Sequence, residues 1–293
     1  MSSPLHAKFF ADHCAQTTAE IIENRQLAKD TYLVRFAAPE IARRITPGQF
    51  VMLRLAGFND PLIGRPLALY ETYGPEQAPD SLSVVYLVKG KLSTRLAQAL
   101  PGQKLDVWGP LGNGFVPEPT EHLILVAGGI GQTPFLAVAQ EALGKRRYGS
   151  PLREAAPARR VTFCYGARSA DYLTSIEDFQ RIGVDVRIAT DDGSRGHHGL
   201  VTDVVRQTLA ESGSAQSGGT RILCCGPEPM MEAVSHLAAE HGIPCQVSLE
   251  TPMACGIGIC FTCVAKVRDE QGEWDYKRTC VEGPVFDAAK IEW

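Results

Sequence analysis

From residue 16 the chain alternates short apolar runs with breaks marked by proline and glycine: AEIIENRQLAKDTYLVRFAAP, PGQFVMLRL, RPLALYE, SLSVVYLV and QKLDVWGPLG. Runs rich in β-branched and aromatic residues, recurring roughly every 10–15 residues, predict an antiparallel barrel or sandwich over residues 16–118. One helix interrupts them at STRLAQAL, with Ser93 placed to cap it. The first 15 residues show no period and read as an arm.

At residue 119 the pattern changes. LILVAGG is a wholly apolar strand that enters a glycine-rich turn and then the helical stretch FLAVAQEALGK. RVTFCYGAR, SIEDFQRI, VDVRIAT, VTDVVRQTLAES, RILCCGP and MMEAVSHLAAEHG follow, strand and helix by turns. This alternation predicts a parallel sheet with helices on its faces over residues 119–247. SGSAQSGG (212–219) reads as a surface loop within that domain. From residue 248 cysteines and glycines dominate, giving a small C-terminal unit, 248–293, that ends in a β-like tail. The expected fold class is therefore multidomain β plus α/β, without internal repeats.

Composition narrows the function. With 29 basic and 33 acidic residues the net charge is −4, which leaves no basic field to hold nucleic acid or an anionic membrane. The longest apolar stretch, LILVAGGI, is far short of a bilayer span. The opening residues MSSPLHAKFFADHCAQ carry neither a basic region nor a sustained apolar one, so no export signal is expected. Nine cysteines, an odd number in a chain this long, argue against a secreted disulfide scaffold. A cytoplasmic protein that keeps its thiols for other chemistry is expected.

Four thiols are clustered. ACGIGICFTCVAKV and the later RTC place Cys255, Cys260, Cys263 and Cys280 in the order C-x4-C-x2-C, then 16 residues, then C. The first three match the plant-type 2Fe–2S spacing, in which one loop supplies three thiolates and a distant segment the fourth. Zinc is the competing assignment, but four-cysteine zinc sites favour paired C-x2-4-C knuckles, and Cys280 lacks a near neighbour. Cys14, Cys164, Cys224, Cys225 and Cys245 lie in the arm or in apolar strands, where a buried thiol is the default.

Two turns point to a nucleotide. GGIGQTP (128–134) lies between a strand and a helix, where glycines allow close approach of a pyrophosphate and the helix start offers N–H groups. The third glycine of the usual fingerprint is replaced by Thr133-Pro134, so a plain strand–helix turn remains an alternative. CCGPEPMM (224–231) makes a second turn at the same carboxyl edge of the expected sheet. TDDGSRGHHG (190–199) could face a ribose or simply be solvated, and His197 and His198 read as loop residues. In the β region, the guanidinium of RPLAL (65–69) could fork onto a diphosphate or sit in a surface ion pair. KGKLSTRL (89–96) offers a second anion site at a helix start.

Together these segments resemble the ferredoxin–NADP reductase-like flavoproteins, and among them most closely the electron-transfer subunits of NAD-dependent dihydroorotate dehydrogenases. The resemblance covers roughly residues 17–293 and rests on RPLAL, KGKLSTRL, GPLGNGF, VAGGIGQTP, YGAR, TDDGSRGHHGLVTDVV, CGPEPMM and, above all, MACGIGICFTCVAKV with CVEGPVFDA. It implies three cofactors: FAD, NAD and a 2Fe–2S cluster on the four cysteines. Arg65 is expected at the FAD diphosphate, with Pro66, Leu67 and Ala68 beside it. Tyr86, Leu87 and Val88 are expected to run along the flavin with their backbone, and Ser93 and Thr94 to bind phosphate. Gly128, Gly129, Gly131, Thr133, Cys225, Gly226 and Pro227 are expected to face the nicotinamide nucleotide. Two departures stand out: Ala68 replaces the family's usual serine, and Leu92-Ser93 replaces a frequent Gly-Thr pair.

The resemblance also implies no acid–base catalyst on this chain and a partner that carries FMN and oxidises dihydroorotate. Electrons would then pass from that FMN through the cluster and FAD to NAD, in pyrimidine biosynthesis. A reductase subunit of the same build, of the sulfide dehydrogenase or hydrogenase type and serving another partner, is the alternative. Residues 248–293 carry five basic and eight acidic side chains. They are the expected docking face, with Met253, Ile257, Ile259 and Phe261 either forming an apolar contact or shielding the cluster.

Overall fold

The computed structural model describes residues 13–212 and 219–293. Most of the expected N-terminal arm, and the middle of the expected loop at 212–219, lie outside the described residues.

Six strands close into an antiparallel barrel in the order β1-β2-β5-β4-β3-β6. They are β1 (Ala15–Ala28), β2 (Thr31–Ala37), β3 (Phe50–Leu55), β4 (Arg65–Tyr73), β5 (Ser81–Leu87) and β6 (Lys104–Leu111). Alternate residues point inward, as the two-residue period requires: Val34 and Phe36, Val51 and Leu53, Leu82, Val84 and Tyr86, and Leu105 and Val107 fill one core. Ile41 of α1 (Pro39–Arg44) and Leu92 and Leu96 of α2 (Lys91–Leu96) complete it. Ser93 does not cap α2. The helix begins earlier, Gly90 takes the N-cap position in extended backbone, and Ser93 stands three residues in. Its hydroxyl accepts the N–H groups of Lys89 (2.9 Å) and Gly90 (3.1 Å), so it satisfies the helix start from inside.

The second sheet runs β10-β9-β8-β7-β11-β12 in parallel. Its strands are β7 (His122–Gly128), β8 (Arg160–Ala167), β9 (Asp185–Thr190), β10 (His197–His198), β11 (Thr220–Cys225) and β12 (Cys245–Ser248). His197 and His198, expected in a loop, form a two-residue edge strand beside Ala189 and Thr190. From Leu123 onward β7 is apolar because both of its faces are covered. Leu123 and Leu125 pack with Phe135 of α3 (Phe135–Ala142) and Phe179 of α4 (Ile176–Arg181). Ile124 and Val126 pack with Val205 of α5 (Val201–Ser212) and Val234 of α6 (Glu228–Glu240).

His122, at the buried start of β7, bonds Thr162 Oγ1 at 2.9 Å. Desolvation, helped by Arg160, lowers its pKa from 6.5 to about 4. The folded chain keeps this imidazole neutral while the unfolded chain protonates it below about pH 6.5, so its stabilising effect falls away as pH drops from there toward 4. The loss is at most about 3 kcal/mol. In thermal melts between pH 7 and 5, His122→Gln is expected to show a shallower fall in Tm than the wild type; equal slopes would refute this.

The C-terminal segment folds back on both domains. β13 (Val264–Arg268) and β14 (Trp274–Arg278) form a hairpin, while β15 (Val285–Asp287) pairs antiparallel with β12 and becomes the seventh strand of the parallel sheet. Asn113, just past β6, ties it to the barrel. Its Nδ2 donates to the Val285 carbonyl (2.7 Å), and its Oδ1 accepts the Val285 N–H (3.1 Å). Barrel and sheet also share a core in which Tyr70 and Phe115 meet Phe135 and Phe163. The Tyr70 hydroxyl donates to Asp178 Oδ2 at 2.6 Å. Among the described residues no helix is long and apolar enough to cross a membrane.

Candidate functional site

A cavity of about 700 Å³ opens where the barrel, the parallel sheet and the C-terminal segment meet. From β4 it is lined by Arg65, Pro66, Leu67 and Ala68, from β5 by Tyr86 and Leu87, and from α2 by Ser93. Gly131 and Thr133, after β7, and Cys225, at the end of β11, close the far side. Val88, Thr94, Gly128, Gly129, Gly226 and Pro227 do not line it. Tyr86 turns its ring into the barrel, where its hydroxyl donates to Asn24 Oδ1 at 3.0 Å, so its backbone is what faces the cavity. Arg65 is exposed at the rim, and its Nη1 donates to the carbonyls of Ile63 (2.9 Å) and Gly64 (3.0 Å).

The two nucleotide-type turns touch. A Cβ on Gly131 would lie 2.2 Å from the Cys225 carbonyl oxygen, so only glycine lets the turn after β7 approach the end of β11. Their adjacency at the carboxyl edge of a parallel sheet makes the crevice in which such folds take nucleotides. Burial raises the Cys225 thiol far above its ordinary pKa, so it is a neutral wall of the cavity.

Sequence reading missed the stretch from Ser248 to Met253, which also lines the cavity, as do Pro284 and Lys89, the first residue of the KGKLSTRL anion site. One signal could have found it: Ser248 pairs with Cys225 in the sheet, so the residues after it emerge at the same edge. Glu250 is the one carboxylate of this lining. Desolvation raises its pKa, against a smaller opposing effect from Lys89.

Cys255, Cys260 and Cys263 sit beside the cavity on a loop seated against the barrel, and Cys280 follows β14. Gly256, at φ +73°, rests on Met52 and Leu111, where a side chain would collide. Trp108 Nε1 of β6 donates to the Cys255 carbonyl at 3.0 Å. Cys263 and Cys280 are buried with Phe50, Met52, Leu111 and Val281, whereas Cys255 is half-buried and Cys260 exposed. The Ile257 N–H donates to Cys255 Sγ (3.4 Å), and the Thr262 hydroxyl donates to Cys260 Sγ (3.3 Å). The Thr262 bond is the main reason the Cys260 pKa falls to about 6. Cys263 is likewise lowered to about 6 by its hydrogen bond with Cys280, which is raised in return.

Cys263 and Cys280 pack in one small core with Met253 and Ile257 of the loop that carries Cys255 and Cys260. Four thiols, three with the C-x4-C-x2-C spacing on one loop and the fourth on a distant segment, suit a two-iron centre. N–H and O–H groups aimed at sulfur are also what such a centre uses to stabilise its negative charge.

Comparison with known proteins finds three family models along the chain. Residues 18–115 match the oxidoreductase FAD-binding domain, 125–236 the oxidoreductase NAD-binding domain, and 250–292 the iron–sulfur cluster binding domain of dihydroorotate dehydrogenase B. The chain is 34% identical over 276 residues to the electron transfer subunit of dihydroorotate dehydrogenase B (NAD(+)) from Desulforamulus reducens, covering 94% of this chain and 97% of that one. It is 34% identical over 274 residues to the same subunit from Bacillus caldolyticus, covering 92% and 96%. Among solved structures it is similar to that of an NADH-dependent reduced ferredoxin–NADP oxidoreductase studied for flavin-based electron bifurcation. There the TM-score is 0.75 and the identity 29%, over 94% of this chain and 90% of that one.

Proposed function

This chain belongs to the family of dihydroorotate dehydrogenase B electron transfer subunits, and we propose that it links a partner's oxidation of dihydroorotate to the reduction of NAD. The observation that carries the reading is that the FAD-binding barrel, the NAD-binding sheet and the iron–sulfur segment all wall one cavity. Bound FAD exchanges two electrons with a nicotinamide as hydride and single electrons with an iron–sulfur centre, which lets it join the two kinds of traffic.

The residues of this chain bind and orient. Arg65 and Lys89 supply cations for the FAD diphosphate, while the backbone of Pro66 to Ala68 and of Tyr86 and Leu87 forms a flat wall for the flavin. Thr94, Val88 and the hydroxyl of Ser93 hold the α2 end of that wall. Gly131, Thr133 and Cys225 would seat the nicotinamide, and Gly128, Gly129, Gly226 and Pro227 would support the two turns that carry the rest of the nucleotide. Cys255, Cys260, Cys263 and Cys280 would hold the iron–sulfur cluster. The buried Tyr70–Asp178 contact and the Asn113 bonds keep the three parts in register, so the distances between cofactors do not depend on a flexible linker. Because these cysteines must remain reduced to take up iron, the chain is assigned to the cytoplasm.

The partner is an FMN-bearing catalytic subunit that docks over the cysteine loop. Ile259 and Phe261 are 72% and 64% exposed there, while Met253 and Ile257 pack inward beside the cysteines. The four apolar residues therefore divide between contact and shielding. Co-expression with an FMN-bearing dihydroorotate dehydrogenase catalytic subunit is expected to give a complex with dihydroorotate-dependent NAD reduction. Co-purification with a different redox partner and no response to dihydroorotate would replace this reading by that of another reductase subunit. Ile259→Glu is expected to abolish the dihydroorotate-dependent reaction while leaving NADH-to-dye activity and the visible spectrum intact. Normal assembly and turnover of that variant would move the docking face elsewhere.

A further inference from the structure

Arg278, the last residue of β14, stands at the junction of all three segments that carry the cysteines. Its Nη1 donates to the carbonyl of Gly258 (3.0 Å), between Cys255 and Cys260. Its guanidinium lies 5.3 Å from the ring centre of Phe261, between Cys260 and Cys263. It is itself two residues before Cys280. On its other edge, Nη2 (2.6 Å) and Nε (3.2 Å) donate to the carboxylate of Glu282, which also accepts the Arg278 backbone N–H at 2.7 Å. The two side chains are only 18% and 25% exposed, so solvent screens them far less than a surface pair.

This arrangement does two things. It clamps the loop: Phe261 is held at φ +54°, a left-handed conformation that strains a residue with a β-carbon, and the guanidinium over its ring is its partner. It also places a cation near enough to Cys263 and Cys280 to feel their charge, with Nη1 on Gly258 and the compensating Glu282 carboxylate on its other edge. Reduction of a centre held by these four cysteines adds one electron, from the flavin or the partner, with no bond broken and no proton taken up. Each such electron is one more negative charge, and a fixed cation beside it favours the reduced form.

We propose that Arg278, braced by Glu282, is the positioning residue that holds the ligand loop closed and sets the reduction potential of the iron–sulfur centre. The inference rests on the assignment of that centre to the four cysteines. In EPR-monitored redox titration of the holoprotein, Arg278→Gln is expected to shift the potential negative and Glu282→Gln to shift it positive. The double variant, which restores the net charge, is expected to return toward the wild type, and Arg278→Lys, which keeps the cation, to stay near it. If Arg278→Gln sheds iron, the positive shift in Glu282→Gln and the near-constant potential of Arg278→Lys still decide the matter. Shifts of the same sign in Arg278→Gln and Glu282→Gln, or no shift in Glu282→Gln, would overturn the proposal while leaving the iron assignment standing. A wild-type protein prepared without air that binds no iron would instead overturn the assignment and the proposal with it.

Discussion

Cys263→Ser is expected to remove the iron–sulfur centre and, with it, all electron exchange with the partner, while FAD content and NADH-to-dye reduction remain at wild-type levels. Cys263 is the pivot of the site: it is buried, it pairs with Cys280, and its own backbone carbonyl accepts the Thr279 N–H at 2.7 Å. A serine hydroxyl at this position is a much harder base to ionise than the thiol and a poor ligand for iron in a sulfur-rich site. The flavin side survives because β4, β5 and α2 reach the cavity from the barrel, whose core does not include the cysteines. Iron and flavin analysis of the purified variant, together with the two assays, checks this. The wild type should carry two irons and one flavin per chain. Equal loss of flavin and iron would show that the cysteine loop is needed for the barrel itself, and zinc in place of iron in protein prepared without air would remove the cluster.

Gly131→Val is expected to have the opposite signature, weakening NADH while sparing flavin and iron. A Cβ at this position would sit 2.2 Å from the Cys225 carbonyl oxygen, deep inside van der Waals contact, so the turn after β7 and the end of β11 must separate. Both are backbone, with no flexible side chain to give way. Overpacking of this kind costs about 1–3 kcal/mol, which corresponds to roughly tenfold to hundredfold weaker binding if it is borne by the nucleotide crevice. Stopped-flow reduction of the flavin by NADH, titrated to saturation, measures it. An unchanged NADH concentration dependence with normal flavin content would show that the nicotinamide does not use this crevice.

Much of this protein is legible from its sequence because the physics involved is local. A strand with one buried face alternates, and a strand with two buried faces does not, so the barrel strands and β7 announce themselves by their patterns. The spacing of Cys255, Cys260 and Cys263 likewise reflects a single loop that must fold around one object. Even there, the start of α2 was placed too late, because Gly90 gives a weaker start signal than the serine three residues on.

Only the tertiary structure decided where the pieces meet. The return of the C-terminal segment is set by β15 pairing with β12, which brings Ser248 to Met253 into the cavity wall beside Cys225 and Gly131. Nothing in that stretch has a period or composition that reveals its neighbours. The same holds for Arg278 and Glu282, which read in sequence as ordinary charges at the end of a polar strand. Their roles arise from the approach of Gly258 and Phe261 across the loop. Sequence patterns report which face of an element avoids water; a site assembled from separate elements depends on how those faces are docked, and that is settled by packing over the whole chain.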